Sequence, residues 1–217
     1  MNTSNLKWLK DLLDLFFPHF CAGCRRPDFI LCPDCKQKIK PEPFNLYPGA
    51  DLACFSYTDP AIRQLITDLK FRQIKETANI LADLMIPLVD DLIDQLNWSE
   101  ILITAVPLSK KRKFQRGYNQ AELIARHLSQ KIKVKNKTDF TILKRIKTTR
   151  PQTKLKGRDR RLNLQNAFAC IKTLTPETKL IVIDDVATSG ATAAEVRKAI
   201  KQKFKGRLLI ITVAHSS

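Results

Sequence analysis

The stretch LIVIDDVATSGAT runs from Leu180 to Thr192. Its unbroken aliphatic run predicts a strand covered on both faces, because a half-exposed strand would alternate with polar positions. The strand delivers Asp184 and Asp185 to its carboxyl end. The chain then turns small and hydroxylated before a helix, AAEVRKAIKQKF, that begins near Ala193. In open parallel sheets ligands bind at that edge. Backbone N–H groups of Ala187, Thr188, Ser189, Gly190, Ala191 and Thr192, with the helix N-terminus behind them, form a cradle for a phosphate. The hydroxyls of Thr188, Ser189 and Thr192 add donors, and Gly190 permits close approach or a positive φ. Two carboxylates beside an anion cradle repel phosphate unless they face another part of the ligand. They suit the vicinal hydroxyls of a ribose, so the pattern describes a sugar 5-phosphate. Two alternatives stand beside this reading. One is a plain strand-turn-helix, since turns collect Ser, Thr and Gly; the other is an acid pair for a divalent metal, which leaves the hydroxyl loop unexplained.

Outward from this stretch, strands and helices alternate. ILITAVP (101–107) and RLLIITVA (207–214) are further apolar runs of strand length, and DLACFSY, FTILKR and AFACI are shorter candidates. AIRQLITDLKFR and ETANILADLMIPLVDDLIDQL have helical apolar spacing, with Pro87 bending or breaking the second. Asn119 to Gln130 is a helix whose start, N-Q-A-E, offers Asn119 as N-cap and Glu122 as its reciprocal partner. The alternation predicts an α/β fold with a doubly wound parallel sheet. Residues 1–17 carry an amphipathic helix (Leu6, Leu9, Leu12, Leu13, Phe16, Phe17), 18–40 a four-cysteine module, 41–50 a Pro- and Gly-bearing linker, and 51–217 the main domain.

With 217 residues, 44% of them hydrophobic, the chain can bury one sizeable core and a small appendage. No apolar run approaches the roughly 20 residues that cross a bilayer. The N-terminal segment is interrupted by Asp11 and Asp14 and lacks a small-residue cleavage site, so it is a poor signal peptide. These features predict a soluble, cytoplasmic protein. The net charge of +17 is concentrated: Ala105 to Gln165 holds 19 Lys and Arg against Glu122, Asp139 and Asp159, and the remainder is nearly balanced. Such a segment marks a face that meets phosphates, on a small molecule or a nucleic acid. A solvated face is the plain alternative, although ordinary surfaces mix signs. Ser109, Lys110, Lys111 and Arg112 follow the 101–107 strand and suit a pyrophosphate. Gly117 permits the turn into the Asn119 helix. Lys113, Arg116, Tyr118, Arg150, Lys154, Lys156 and Arg158 suit a polyanion, with Phe114 and Tyr118 as stacking faces for bases.

Cys21, Cys24, Cys32 and Cys35 are spaced C-x2-C-x7-C-x2-C. Two tight turns presenting two thiolates each suit tetrahedral Zn²⁺, in a structural site because no position is left open. Two disulfides, or a redox CxxC, are the competing readings, weakened by the expected compartment and by the duplication. Cys54 and Cys170 read as small core residues. No general base stands out, since His127 and His215 read as structural.

LIVIDDVATSGAT resembles the ribose-phosphate signature of type I phosphoribosyltransferases, which bind 5-phosphoribosyl 1-pyrophosphate (PRPP). The resemblance implies that Asp184 and Asp185 contact the ribose hydroxyls, that the following loop holds the 5-phosphate, and that the Ser109–Arg112 loop holds pyrophosphate with Mg²⁺. It also implies a small hood that recognises an acceptor. The four-cysteine knuckle, P-L-S-K-K-R-x-x-x-R-G-Y-N-Q-A-E, R-P-Q-T-x-L and the acid-pair stretch occur in one order. Together they resemble the ComF family of competence-associated phosphoribosyltransferase-like proteins over residues 6–215. Ser189 and Tyr118 stand where Thr and Phe are frequent. That resemblance implies PRPP binding, handling of single-stranded DNA in natural transformation, and a helicase-like translocase as partner. Active pentosyl transfer in metabolism, without nucleic acid, is the alternative.

Overall fold

Alternate residues of the central strands serve two different cores. Ile181 and Ile183 belong to one buried cluster, and Leu180 and Val182 to another on the opposite face of the same strand. That division follows from the period-two pleat, and it requires cover on both sides of the sheet. The structure, a computed structural model, describes residues 19–42, 44–47, 50–147 and 164–216. The expected N-terminal amphipathic helix and the basic residues Arg150, Lys154, Lys156 and Arg158 lie outside the described residues.

Pro33–Lys38 (α1) closes the cysteine module, and β1 (Phe44–Tyr47) and β2 (Ala50–Ser56) follow. Next come α2 (Pro60–Thr67), a π-helical turn (Asp68–Arg72), α3 (Glu76–Gln95) and β3 (Glu100–Ala105). Then α4 (Lys110–Arg116), α5 (Gln120–Ser129), β4 (Lys135–Thr138) and β5 (Leu143–Arg145) lead to the undescribed stretch. The chain ends with β6 (Phe168–Cys170), β7 (Lys179–Ala187), α6 (Ala191–Lys201) and β8 (Arg207–His215).

The main sheet has the order β1-β2-β8-β7-β3-β4, with β1 antiparallel and the other five strands parallel. β1 lies within the stretch 41–50 and pairs with β2. Residues of α2, α3 and α5 fill one face; α6, Phe204 and the separate antiparallel pair β5–β6 fill the other. From β3 the chain moves outward to β4, whereas from β7 it moves the opposite way to β8. The crevice at the carboxyl ends of β3 and β7 is therefore the topological switch point, where doubly wound sheets admit ligands.

Local chemistry explains several element ends. Asp59 caps α2, its Oδ1 accepting the N–H groups of Ala61 (2.8 Å) and Ile62 (3.0 Å), with Pro60 at the first turn. Pro87 is accommodated inside α3, which continues unbroken to Gln95. The expected capping box at Asn119 does not form. Asn119 Nδ2 instead donates to Val106 O at 3.0 Å, tying α5 to the end of β3, and Glu122 pairs with Arg126. The expected Ser109–Arg112 loop instead opens a helix, α4, whose N-cap is Ser109, its Oγ accepting the Arg112 N–H at 3.3 Å. Cys54 and Cys170 are buried in the two cores, as expected. Among the described residues, no helix is long and apolar enough to cross a membrane.

Candidate anion site and metal centre

β7 does not stop at its acids. It stays paired with β8 through Ala187, while β3 leaves it at Val106, whose N–H donates to Ile183 O at 2.9 Å. Asp184 and Asp185 thus stand where one neighbouring strand has departed, and both keep part of their surface in solvent. Consecutive strand residues face opposite ways, yet Lys70 acts on both acids. Lys70, from the π-helical turn, places Nζ 2.8 Å from Asp185 Oδ1. Asp184 Oδ1 accepts the Asp185 N–H at 2.8 Å, and Arg145, at the end of β5, attracts Asp184 from the other side. Burial, and secondarily the charge of Asp185, push the Asp184 carboxyl up to about 7 despite these donors and cations.

The loop after the acids turns at Gly190, which adopts φ +71° and forms the N-cap of α6. A side chain there would strain the left-handed backbone. The first N–H groups of α6 have no carbonyl within the helix to pair with, and Thr188 and Ser189 are exposed beside them. The helix starts at Ala191, two residues before the expected Ala193. Ala187, Gly190 and Ala191 are buried, and Thr192 is half-buried.

On the β3 side, the RGYNQ block holds α4 against this edge. Gly117 adopts φ +74°, and its N–H donates to Lys113 O. Arg116 donates to Gln120 Oε1 at 2.9 Å, and Gln120 is fully buried. Arg116 is desolvated, which lowers its pKa, while Asp185 opposes that effect and Arg112 adds to it. Arg112 also repels Arg145. Arg116, Arg145 and Lys70 therefore act on the two carboxylates, and Arg112 adds to the positive charge around them, leaving a surplus suited to an anion bearing hydroxyl donors. Lys110, Lys111 and Lys113 are exposed on α4.

Tyr118 departs from its expected role as a stacking face. It is 8% exposed, and its hydroxyl donates to Leu69 O at 2.7 Å, so the ring braces the π-helical turn. Phe114 is 91% exposed. The basic segment also does not act as one face. Lys131 pairs with Asp83, and Lys135 and Lys137 with Glu100 at the amino end of β3, so these lysines are spent away from the switch point. Sequence reasoning missed Lys70 and Arg145, which lie in unremarkable amphipathic segments. Gln120 carried a usable signal, because Arg116 and Gln120 are four apart.

The four cysteines converge. Their Sγ atoms all lie within 4.8 Å of one another, and Cys24 and Cys32 are 3.7 Å apart. A tetrahedral ion with Zn–S bonds of about 2.3 Å requires S–S edges of about 3.8 Å, so the donor set fits Zn²⁺. Burial raises the Cys21 thiol, but the N–H groups of Cys24, Cys32 and Gly23 outweigh it and bring it down to about 6. Burial and the neighbouring sulfurs push Cys35 up to about 12. A dication would hold these sulfurs as thiolates, so its binding would release protons. A Cβ on Gly23 would stand 2.6 Å from Cys35 Sγ, so the first turn has no room for a side chain. The knuckle is joined to the main domain: Ala22 and Ile39 enter the core shared with α2 and α3.

No protein-family model matches the chain. It is 32% identical over 216 residues to "Competence protein F" of Haemophilus influenzae, covering 86% of this chain and 93% of that protein. It is 30% identical over 196 residues to "DNA utilization protein YhgH" of Escherichia coli K12, covering 83% and 82%. To "Competence protein ComFC" of Bacillus subtilis it is 25% identical over 189 residues, covering 86% and 73%. With identity of 30–32% over more than four-fifths of both chains, and with the cysteine knuckle, the RGYNQ block and the acid pair all present on a mostly parallel α/β fold, this chain belongs to the ComF family.

Proposed function

We propose that the switch-point crevice binds PRPP and that the protein handles single-stranded DNA in competence. The observation that carries the first part is the acid pair, flanked by the Gly190 loop on one side and by α4 on the other. Asp184 and Asp185 accept the ribose hydroxyls, and the N–H groups and hydroxyls of residues 187–192 take the 5-phosphate. Ser109, Lys110, Lys111 and Arg112 meet the pyrophosphate. The ribose hydroxyls replace Lys70 as partners of Asp185, and the released ammonium faces the anion. Mg²⁺ bound with PRPP would offset pyrophosphate charge, and the carboxylates supply the hard oxygen donors it prefers. The four cysteines hold Zn²⁺ in a structural role.

Support for the second part comes from the relatives, which are named for competence and DNA utilization, together with the exposed cations of α4. Lys113, Arg116 and Phe114 lie on that helix, and Arg150, Lys154, Lys156 and Arg158 extend the basic sequence beyond it. A helicase-like translocase is the partner that the family reading adds, and a cytoplasmic setting follows from it. If a pentosyl acceptor is used, positioning and charge neutralisation at the crevice do the catalysis as pyrophosphate departs. Transfer without any nucleic-acid role is the second reading, favoured by the completeness of the anion site.

Isothermal titration with PRPP and Mg²⁺ tests the site: binding is expected for the wild type and lost in Asp184→Asn/Asp185→Asn. Equal affinity in that variant defeats the assignment. Pyrophosphate release with a panel of nucleobases, with and without single-stranded DNA, separates turnover from binding alone.

A further inference from the structure

The π-helical turn Asp68–Arg72 has two outward-acting residues side by side. Lys70 reaches Asp185, whereas Phe71 leaves the core and is 67% exposed. Single apolar side chains at a surface are ordinary; what sets Phe71 apart is its place one residue from Lys70, at the rim of the charged crevice. Phe71 is not loosely held. Tyr118 fixes the carbonyl of Leu69, Asp68 accepts from Gln64 at 2.7 Å and pairs with Arg72, and Gln73 ends the turn at φ +60°. Over the ring sits the Arg116 guanidinium, 5.3 Å from its centroid, itself held by buried Gln120. A widened helical turn of this kind is a recurrent feature of functional sites.

We propose that Phe71, backed by Arg116, is a stacking platform for one base of a single-stranded nucleic acid whose phosphates run along the cations of α4. The inference rests on the nucleic-acid reading above and names the residue that reads a base. The ring has two rotatable side-chain bonds; Arg116 covers one face with positive charge, and the opposite face is the one offered to a base. Base–aromatic stacking tolerates any base, as transit of an arbitrary strand requires. Arg116 also feels Asp185, so the stacked base lies next to the PRPP crevice.

Fluorescence anisotropy with labelled oligo(dT), and with a strand of equal length that is abasic throughout, tests the platform. Phe71→Ala is expected to weaken oligo(dT) binding about tenfold, with the salt slope unchanged because no phosphate contact is removed. The abasic strand should bind wild type and variant alike, and Phe71→Trp should restore oligo(dT) affinity. Phe71 is exposed, so folding of the variant is not at risk. Salt-sensitive oligo(dT) binding that is equal in wild type and Phe71→Ala overturns the platform and leaves the nucleic-acid reading standing. No salt-sensitive binding by the wild type removes both. Self-association abolished by Phe71→Ala, with strand affinity unchanged, would make the ring a contact between copies and also overturn the proposal.

Discussion

Replacing Asp184 by Asn should make the folded protein more stable at alkaline pH. The wild-type carboxyl rises from 3.8 to about 7, chiefly through burial and then through Asp185. A carboxyl raised on folding contributes stability that is complete below its unfolded pKa and lost as pH climbs through its folded one. Stability from this group is therefore present near pH 4 and gone by about pH 8. Each pKa unit corresponds to about 1.4 kcal/mol, and the two acids titrate as a pair, so the loss is about 2–4 kcal/mol. Asn cannot ionise, yet its Oδ1 can still accept the Asp185 N–H. Urea denaturation of both proteins, followed by circular dichroism from pH 4 to 9 at constant zinc, isolates the acid pair, because groups not coupled to Asp184 cancel in the difference. The variant should match the wild type near pH 4 and exceed it by about 2–4 kcal/mol at pH 8. A difference that does not change with pH, or a variant less stable at pH 8, would refute the argument that Asp184 is held against its ionisation.

Gly23→Ala forces a methyl group to within 2.6 Å of Cys35 Sγ, so zinc content after purification should fall well below one ion per chain, measured by chromogenic chelator release. Stripping zinc from the wild type with a strong chelator should lower its melting temperature, because Cys21, Cys32 and Cys35 would remain buried without a cation. Tyr118→Phe removes the bond to Leu69 O and should cost about 1 kcal/mol in urea denaturation. Asp59→Ala leaves two N–H groups of α2 uncapped and should cost about 1 kcal/mol by the same measurement.

Period-two and period-3.6 patterns made the sheet and its helices legible, because strands buried on both faces leave no polar alternation. LIVID, ILITA and RLLIITVA all became parallel neighbours, and Gly190 took the positive φ that its loop required. What escaped was tertiary. β4, Lys135–Thr138, is a polar edge strand with no apolar signal, and it was passed over. Lys70 meets Asp185 across more than a hundred residues, a pairing no local pattern announces. Asn119 obeyed the position of an N-cap but not its chemistry, because the carbonyl of Val106, exposed where β3 ends, competed for the side chain. Tyr118 looked like a platform beside basic residues, and became a strut because Leu69 O lay within reach.

The cysteine knuckle rests against the start of α2, where Ala61 lies 3.8 Å from the space that a Gly23 side chain would take. The same helix runs on into the π-helical turn that carries Lys70 and Phe71. An ion held by the four cysteines would brace the near end of this segment, while Asp185 and Tyr118 fasten the far one. Loss of such an ion would therefore be felt first where the helix begins, and only through it at the crevice.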